Sequence, residues 1–456
     1  WGGVNLGATV PGHSPGDVAI PDQTYRDWIS QMGELGVRFL RVYTIMRPSF
    51  YQALLEHNQA NPTWPIYLIH GVYLPDESYV ETRDLWRPGP TKAFEDEIQD
   101  AAAAVSGHLR RPEMRGRAYG DFTADVSPWL AGWIIGVEWD PIATDASDRK
   151  NRGRPDHRGQ YFQSHNGTPT EVWIAQHMDQ LATLEADQGR SMPIAFANWP
   201  TADPLEHPTE PLPQEDLVGV DANHVLPTKN WPGGSFASFH AYPYYPDFLR
   251  HEPQYQTLRI DGEVDAYAAY LSDLREHFAK ENLPLMITEF GVPSSIGSAH
   301  FGTRGRDQGQ HSEAEALAMD AAMLTMFKQL GLAGGLLFVW ADEWFKFTWN
   351  TLPRQSVVDS ERRALWHDPL TNEQWFGILA MDPKRAGWRT IQESDGQVRS
   401  VAVDHDASFV HLRITFAEPP ATPFSIDFDT LSDAAQHAGE PAVRVTVDPE
   451  SGQAFA

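Results

Sequence analysis

Short apolar runs of strand length alternate with amphipathic stretches along most of this chain. Each run reads as buried on both faces, as the strands of a parallel sheet are. The runs cover residues 36–44, 65–73, 132–139, 192–199, 235–242, 284–291 and 334–342, and residues 1–9 supply an eighth. This alternation restricts the fold to a parallel α/β architecture.

The segments between the runs carry the pattern of amphipathic helices. Apolar residues recur there at helical spacing, with polar residues on the opposite face. We expect helix starts at Thr170 and Ser312, and helix stops at Gly36 and Gly331. The predicted helices cover residues 24–36, 91–110, 170–189, 264–282 and 312–331.

Eight strands with intervening helices favour a (β/α)8 (TIM) barrel over residues 1–390. A doubly wound open sheet is the competing fold, but the glycine-rich phosphate turn typical of such sheets follows none of the runs. The segments after the runs are long, whereas those after the helices are short, as in a barrel whose site lies at the C-terminal face. The longest of them cover residues 140–169, 201–234, 293–311 and 344–374.

The pattern changes towards the end of the chain. Residues 398–416 alternate between apolar and polar side chains around a central turn, which predicts a β-hairpin. Two further alternating segments follow it. We therefore expect residues 391–456 to form a small β-rich, partly sandwich-like domain after the barrel.

Composition excludes several classes of function. The 456 residues include 62 acidic and 35 basic side chains, a formal charge of −27, which disfavours nucleic acid and anionic membranes as partners. No apolar run is long enough to span a membrane. The chain has no cysteine, which excludes disulfides, thiolate metal sites and a cysteine nucleophile. We expect an extracytoplasmic or secreted protein of bacterial type.

Two of the apolar runs end in a glutamate. Glu138 ends the fourth strand and Glu289 the seventh, where a carboxylate costs desolvation free energy unless it has a partner. Both would lie at the C-terminal face of a barrel. Two carboxylates about 5–5.5 Å apart are what retaining glycoside hydrolysis requires: one attacks the anomeric carbon, and the other protonates the leaving oxygen and then activates water.

The barrel region resembles the clan-A (β/α)8 retaining glycoside hydrolases. The stretch ITEFG around Glu289 carries most of the resemblance, since Glu-aromatic-Gly after a β-branched run is the usual setting of the clan's nucleophile. The resemblance implies that Glu289 is the nucleophile and Glu138 the acid/base. It also implies an oligosaccharide or polysaccharide substrate, and we expect no cofactor.

Other strand ends resemble positions that support the clan's nucleophile. LRVYTIMRP resembles the second strand and places Arg41 beside Glu289. Such a cation would keep a nucleophilic carboxylate ionised at neutral pH. FHAYPYYPDF resembles the sixth strand and offers His240 and Tyr242, with Tyr242 positioned to hydrogen-bond Glu289.

Four further positions concern the sugar. Trp340 resembles the tryptophan that forms the floor of the sugar subsite, and His70 resembles a histidine of the third strand. The clan usually has asparagine before the acid/base, but this chain has Val137, which cannot donate a hydrogen bond to the sugar. Asn198, after the fifth strand, is the candidate replacement. The predicted substrate-binding residues are Arg41, Tyr43, His70, Trp139, Asn198, His240, Tyr242, Trp340, Asp342 and Glu343.

The sequence leaves alternatives open. A transglycosylase would differ only in its acceptor, and a non-catalytic carbohydrate-binding barrel would share the fold but would not need both acids. Residues 147–167 are rich in arginine, so this segment is either a solvated loop or a wall of the site for an anionic sugar. No H-E-x-x-H or calcium-loop pattern occurs, and we expect no metal.

Overall fold

The computed structural model describes residues 2–74, 77–348, 351–352, 368–381, 386–405, 410–428 and 443–455. The chain divides into two compact units, Trp1–Met381 and Asp382–Ala456. None of the helices in these ranges combines the length and the apolar composition needed to cross a bilayer.

The first unit is built on parallel strands that each overlap one of the apolar runs. The strands are β1 (Gly2–Leu6), β2 (Phe39–Val42), β3 (Tyr67–Val72), β4 (Leu130–Ile135), β5 (Ile194–Asn198), β6 (Ala237–His240), β7 (Leu285–Phe290) and β8 (Gly334–Leu337). They close into a barrel in the order β1-β8-β7-β6-β5-β4-β3-β2. The predicted (β/α)8 fold is confirmed.

Helices follow the strands and cover the barrel. They are α1 (Asp22–Glu34), α2 (Pro48–Ala60), α3 (Glu77–Thr82), α4 (Pro88–Val105), α5 (Pro141–Lys150), α6 (Pro169–Asp187), α7 (Phe248–His251), α8 (Ala266–Ala279) and α9 (Glu313–Gln329). Proline begins α2, α4, α5 and α6, because the first turn of a helix does not need its missing N–H group.

The ends of the helices follow the predicted signals closely. Ser312 caps α9 as predicted, whereas α6 is capped by Thr168 rather than by Thr170. Gly36 and Gly331 follow α1 and α9 with φ of 80° and 73°, a conformation that glycine adopts without strain.

The segment after β4 differs from its sequence interpretation. Residues 140–169 were expected to form one long loop, but α5 occupies the first part of it. Asp140 caps this helix by accepting a 2.7 Å hydrogen bond from the backbone N–H of Ala143. The predicted long segment at 344–374 lies partly outside the described residues.

Apolar side chains fill the interior of the barrel. One buried cluster takes members from five different strands: Ile69, Ile134, Ala195, Met286 and Leu336. A larger buried cluster lies between the strands and the helices. Both layers follow the alternation of side chains along each strand.

The second unit contains two antiparallel sheets. The first consists of β9 (Arg389–Glu393), β10 (Val398–His405) and β11 (Val410–Phe416), and the second of β12 (Phe424–Phe428), β13 (Val443–Val447) and β14 (Ala454–Phe455). The hairpin predicted at 398–416 corresponds to β10 and β11. That residues 391–456 form a partial sandwich stays a prediction.

Candidate active site

A cavity of about 1310 Å³ opens where the barrel strands end. Its walls include residues at or next to the ends of all eight strands, which is where sites of (β/α)8 barrels are found. These residues are Gly7, Tyr43, Tyr73, Gly136, Trp199, His240, Glu289 and Phe338.

A turn after β4 directs Glu138 into this cavity. The chain turns at Gly136, whose φ is 89°, and a methyl group at Gly136 would lie 3.0 Å from the ring of Trp139. Trp139 anchors the turn, because it is fully buried and its indole N–H donates a 2.9 Å hydrogen bond to the carbonyl of Ala197. The side chain of Glu138 is consequently 40% exposed and lines the cavity.

Glu289 lies near the end of β7 and is almost fully buried. Tyr43 donates a 2.6 Å hydrogen bond to its Oε1, and Tyr242 donates a 3.0 Å hydrogen bond to its Oε2. Nη1 of Arg41 lies 3.5 Å from Oε1. Burial alone would raise the pKa of Glu289, but His240, Arg41 and the bond from Tyr43 outweigh it and lower the pKa below 4.5.

His240 connects the two carboxylates. Its Nδ1 lies 2.7 Å from Oε1 of Glu138, and its Nε2 lies 3.0 Å from Nη1 of Arg41 and 3.4 Å from Oε1 of Glu289. A carboxylate can only accept, so the Nδ1–H of His240 donates the hydrogen bond to Glu138.

The separation of the two carboxylates is short. Glu138, His240 and Glu289 each offer an atom within 4.8 Å of those offered by the other two. Three such groups could hold a divalent cation in principle. Arg41, however, already places a positive charge against both Glu289 and Nε2 of His240, so the arrangement fits a pair of reactive carboxylates better than a metal centre.

A second cluster of charged side chains, Glu343, Lys346 and Glu373, lines the cavity. Of these three, only Glu343 is predicted from the sequence. Nζ of Lys346 lies 3.1 Å from Glu343 and 3.9 Å from Glu373, and the side-chain amide of Gln308 donates a 2.6 Å hydrogen bond to Glu373. Burial raises the pKa of Glu373, although Lys346 opposes the shift. Burial would lower the pKa of Lys346, but the charges of Glu343, Glu373 and Glu289 outweigh it and raise that pKa.

Aromatic side chains form a wall beside Glu289. Phe338, Phe376 and Tyr244 belong to one buried cluster, and Tyr242 packs against it. All four line the cavity. Phe338 lies two residues before Trp340, the side chain predicted for the sugar platform.

Two predicted residues, His70 and Asn198, lie outside the cavity wall. His70 is fully buried between Tyr51 and Trp133, and its ring nitrogens contact the hydroxyl of Tyr51 and the carbonyl of Gly71, each at 2.8 Å. The amide of Asn198 donates to two backbone carbonyls, and its oxygen accepts from the next backbone N–H. Asn198 therefore has no free group with which to replace the donor missing at Val137.

Three more predicted residues, Trp139, Trp340 and Asp342, do not line the cavity. Trp139 is the buried anchor of the turn after β4. Trp340 is 1% exposed and does not line the cavity, so it presents no ring surface there on which a sugar could stack. Asp342 accepts hydrogen bonds from the backbone N–H groups of Gly377 and Met381, which holds two loop segments together.

The arginine-rich segment 147–167 contributes no residue to the cavity wall. Its side chains have other contacts: Arg149 pairs with Asp145, and the guanidinium of Arg154 lies 3.5 Å above the ring of Trp86. The structure thus gives no support to this segment as a wall of the site.

No protein-family model matches the chain, and no curated protein matches it. Solved structures of similar fold include an endo-laminarinase from Formosa Hel1_33_131, with 13% identity, 84% of each chain covered and a TM-score of 0.49. An endo-1,4-beta-D-mannanase from Thermotoga petrophila RKU-1 shares 12% identity over 74% of this chain and 87% of its own, with a TM-score of 0.44. A GH1 beta-glucosidase from Exiguobacterium antarcticum B7 shares 12% identity over 84% of this chain and 92% of its own, with a TM-score of 0.41. Similarity at this level assigns no function to this chain.

Proposed function

We propose that this chain is a retaining glycoside hydrolase that cleaves O-glycosidic bonds of an oligosaccharide or polysaccharide. One observation carries the proposal: Glu138 and Glu289 offer carboxylate oxygens within 4.8 Å of each other in a large cavity at the strand ends. Inverting enzymes need about 6.5–9.5 Å between their carboxyl groups to admit a water molecule, and retaining enzymes about 5–5.5 Å.

Glu289 is the proposed nucleophile. Its lowered pKa keeps it ionised at neutral pH. Oε1 is surrounded by Tyr43, Arg41 and His240, whereas Tyr242 is the one hydrogen-bond donor to Oε2 among the described residues. Oε2 is therefore the oxygen that attacks the anomeric carbon. The bond to the leaving oxygen breaks as the glycosyl ester forms.

The two tyrosines serve as neutral donors throughout. Burial, and next the charge of Glu289, raise the pKa values of Tyr43 and Tyr242 well above 10. Both hydroxyls therefore stay protonated at any pH at which the enzyme would work. They orient the carboxylate of Glu289, and both are proposed to contact the substrate beside it.

Glu138 is the proposed acid and base. Oε1 accepts the N–H of His240, while Oε2 has no hydrogen-bond partner among the described residues, and the side chain as a whole is 40% exposed. Protonated, Glu138 gives its proton to the leaving oxygen. It then takes a proton from the water that attacks the anomeric carbon and releases Glu289. A sugar hydroxyl in place of that water would give transglycosylation.

The remaining walls are proposed to bind sugar. Phe338 and Phe376 offer apolar ring surface, and Glu343, Lys346 and Gln308 offer groups for hydroxyls. Val137 is 5% exposed and offers none, so the substrate is proposed to present its 2-hydroxyl differently from the substrates of the clan. An extracytoplasmic or secreted location stays a prediction.

The test replaces the proposed nucleophile by glutamine, which has nearly the same shape but carries no carboxylate. Glu289→Gln should abolish turnover of a panel of aryl glycosides while binding of oligosaccharides, measured by calorimetry, survives. Glu81→Gln, at an exposed position of α3, is the matched control and should retain full turnover. Turnover unchanged by Glu289→Gln would refute the assignment, and binding without turnover in the unmodified chain would favour a carbohydrate-binding barrel.

A further inference from the structure

A hairpin in the connection between α4 and β4 reaches the cavity from outside the barrel. Its two strands, Leu109–Arg111 and Gly120–Phe122, pair antiparallel, and we call the segment the 109–122 hairpin. Connections that follow helices normally lie at the face opposite the site. Here, however, three residues of the hairpin tip line the cavity: Arg115, Gly116 and Arg117.

The hairpin packs against two segments that follow barrel strands. A methyl group added at Gly16, in the segment after β1, would lie 3.4 Å from Cα of Gly116. A methyl group added at Gly120 would lie 3.1 Å from Cγ of Pro48, the first residue of α2. The hairpin therefore leans against the segments that follow β1 and β2, and its tip belongs to the same rim as the catalytic strand ends.

Some of the basic side chains that line the cavity form ion pairs, and others do not. Arg41 pairs with Glu289, and Lys346 pairs with Glu343. Arg115 and Arg117 also line the cavity, but neither forms an ion pair with any residue in the described part of the chain.

One acid that also lines the cavity, Glu97, is already engaged. It pairs with Arg111, whose Nε lies 3.0 Å from Asp100. The positive charge of Arg117 acts on Glu97 only from a distance. The protein therefore supplies no carboxylate to the two tip arginines among its described residues.

Arg117 is the more buried of the two arginines. Its Nε is shielded from solvent and has no hydrogen-bond partner among the described residues. A buried guanidinium N–H without an acceptor is unfavourable, and guanidinium groups pair with planar oxyanions through two parallel hydrogen bonds. Two arginines without an ion-pair partner among the described residues, in a protein of net charge −27, mark one position where an anion is attracted rather than repelled.

We propose that Arg115 and Arg117 form a subsite for an anionic substituent of the glycan, either a carboxylate or a sulfate ester. The proposal rests on the glycoside hydrolase function proposed above, because it extends the same cavity. The two arginines hold the charged group of the glycan at the rim, while the glycosidic bond to be cleaved lies between Glu138 and Glu289. The subsite therefore selects charged glycans over neutral ones.

The experiment measures binding by the full chain with three probes. They are oligogalacturonate, which carries carboxylates, a sulfated galactan oligosaccharide, and the same oligosaccharide after desulfation. The unmodified chain should bind at least one charged probe more tightly than the neutral probe. Arg115→Gln combined with Arg117→Gln should weaken that binding about 10- to 100-fold and leave binding of the neutral probe unchanged. Which charged probe responds identifies carboxylate or sulfate as the ligand.

Arg110→Gln is the matched control, because Arg110 lies on the same hairpin but is 90% exposed and pairs with Asp121. It should bind all three probes as the unmodified chain does. The proposal is wrong if the double variant binds the charged probes normally, or if Arg110→Gln weakens them equally. If the double variant does not fold, Arg115→Gln alone decides, since its side chain is exposed. Binding is read without turnover, so a failed nucleophile test would leave this result interpretable.

Discussion

Tyr43 donates a 2.6 Å hydrogen bond to Oε1 of Glu289 from a strand that is not its neighbour. Tyr43 follows β2, whereas Glu289 lies in β7, and β1 and β8 separate the two strands in the sheet. Closure of the barrel brings the hydroxyl to the carboxylate. The environment of the proposed nucleophile is therefore a property of the closed fold rather than of the segment around Glu289.

Removing this hydroxyl should weaken catalysis and shift its pH dependence. Tyr43→Phe removes a hydrogen bond to a charged group, worth about 1.5–3 kcal/mol, so kcat/KM should fall about 10- to 100-fold. Because the bond lowers the pKa of Glu289, its loss should raise that pKa. Activity needs the ionised form, so the acidic limb of the kcat/KM profile should move to higher pH. An unshifted limb would contradict the role of Tyr43, and Tyr119→Phe, at an exposed tyrosine, is the control.

Glu138 can be tested through the leaving group. Glu138→Ala removes the proposed proton donor, which matters most when the leaving oxygen is a poor leaving group. Turnover of natural oligosaccharides should fall by about two orders of magnitude or more. Formation of the glycosyl ester from an aryl glycoside with an acidic phenol should fall far less, as measured by the burst of phenol release. An equal loss for both substrates would argue against proton donation by Glu138.

The aromatic wall gives a prediction about affinity. Phe338 lines the cavity whereas Trp340 is buried away from it, so Phe338→Leu should raise KM and Trp340→Phe should leave KM unchanged. Steady-state kinetics on one oligosaccharide measure both variants. The opposite order of effects would restore Trp340 as the sugar platform.

A buried acid of α9 should make stability depend on pH. Burial raises the pKa of Asp320 to about 8. The folded protein therefore keeps a proton there that the unfolded chain, with a pKa of about 3.9, releases. The free energy of unfolding should accordingly decrease as the pH rises from about 4 to 8. Asp320→Asn keeps the oxygen that accepts the N–H of Val292 and should remove this decrease.

Urea denaturation at pH 5 and pH 8 measures the effect. The unmodified chain should lose more stability between the two values than the Asp320→Asn variant does. Glu313→Gln, at an exposed position of the same helix, should behave as the unmodified chain. Identical pH dependence in all three proteins would show that Asp320 is ionised in the folded state.

The sequence could locate residues whose position follows from strand ends. Glu289 and Arg41 lie on barrel strands, and Tyr43 and Glu138 follow shortly after strand ends, so an apolar run and its last residues were enough to identify them. His70 could have been excluded by the same reasoning. Ile69 faces the barrel interior, and alternation then directs its neighbour His70 outward, against Tyr51.

Other residues could not be placed from local pattern. β8 ends at Leu337, so the alternation of the strand does not extend to Trp340. Asn198 ends β5, but the carbonyls of Ala202 and Val220 occupy its amide, and those contacts depend on how the following loop folds. Glu373 meets its partners only through tertiary structure.

The anomeric configuration of the first product tests the central claim most directly. The sugar released from an oligosaccharide or aryl glycoside can be followed by proton NMR before mutarotation. Attack by Glu289 followed by water activated at Glu138 predicts a product with the same anomeric configuration as the substrate. A product of inverted configuration would show that water attacks directly, and it would contradict the role proposed for Glu289.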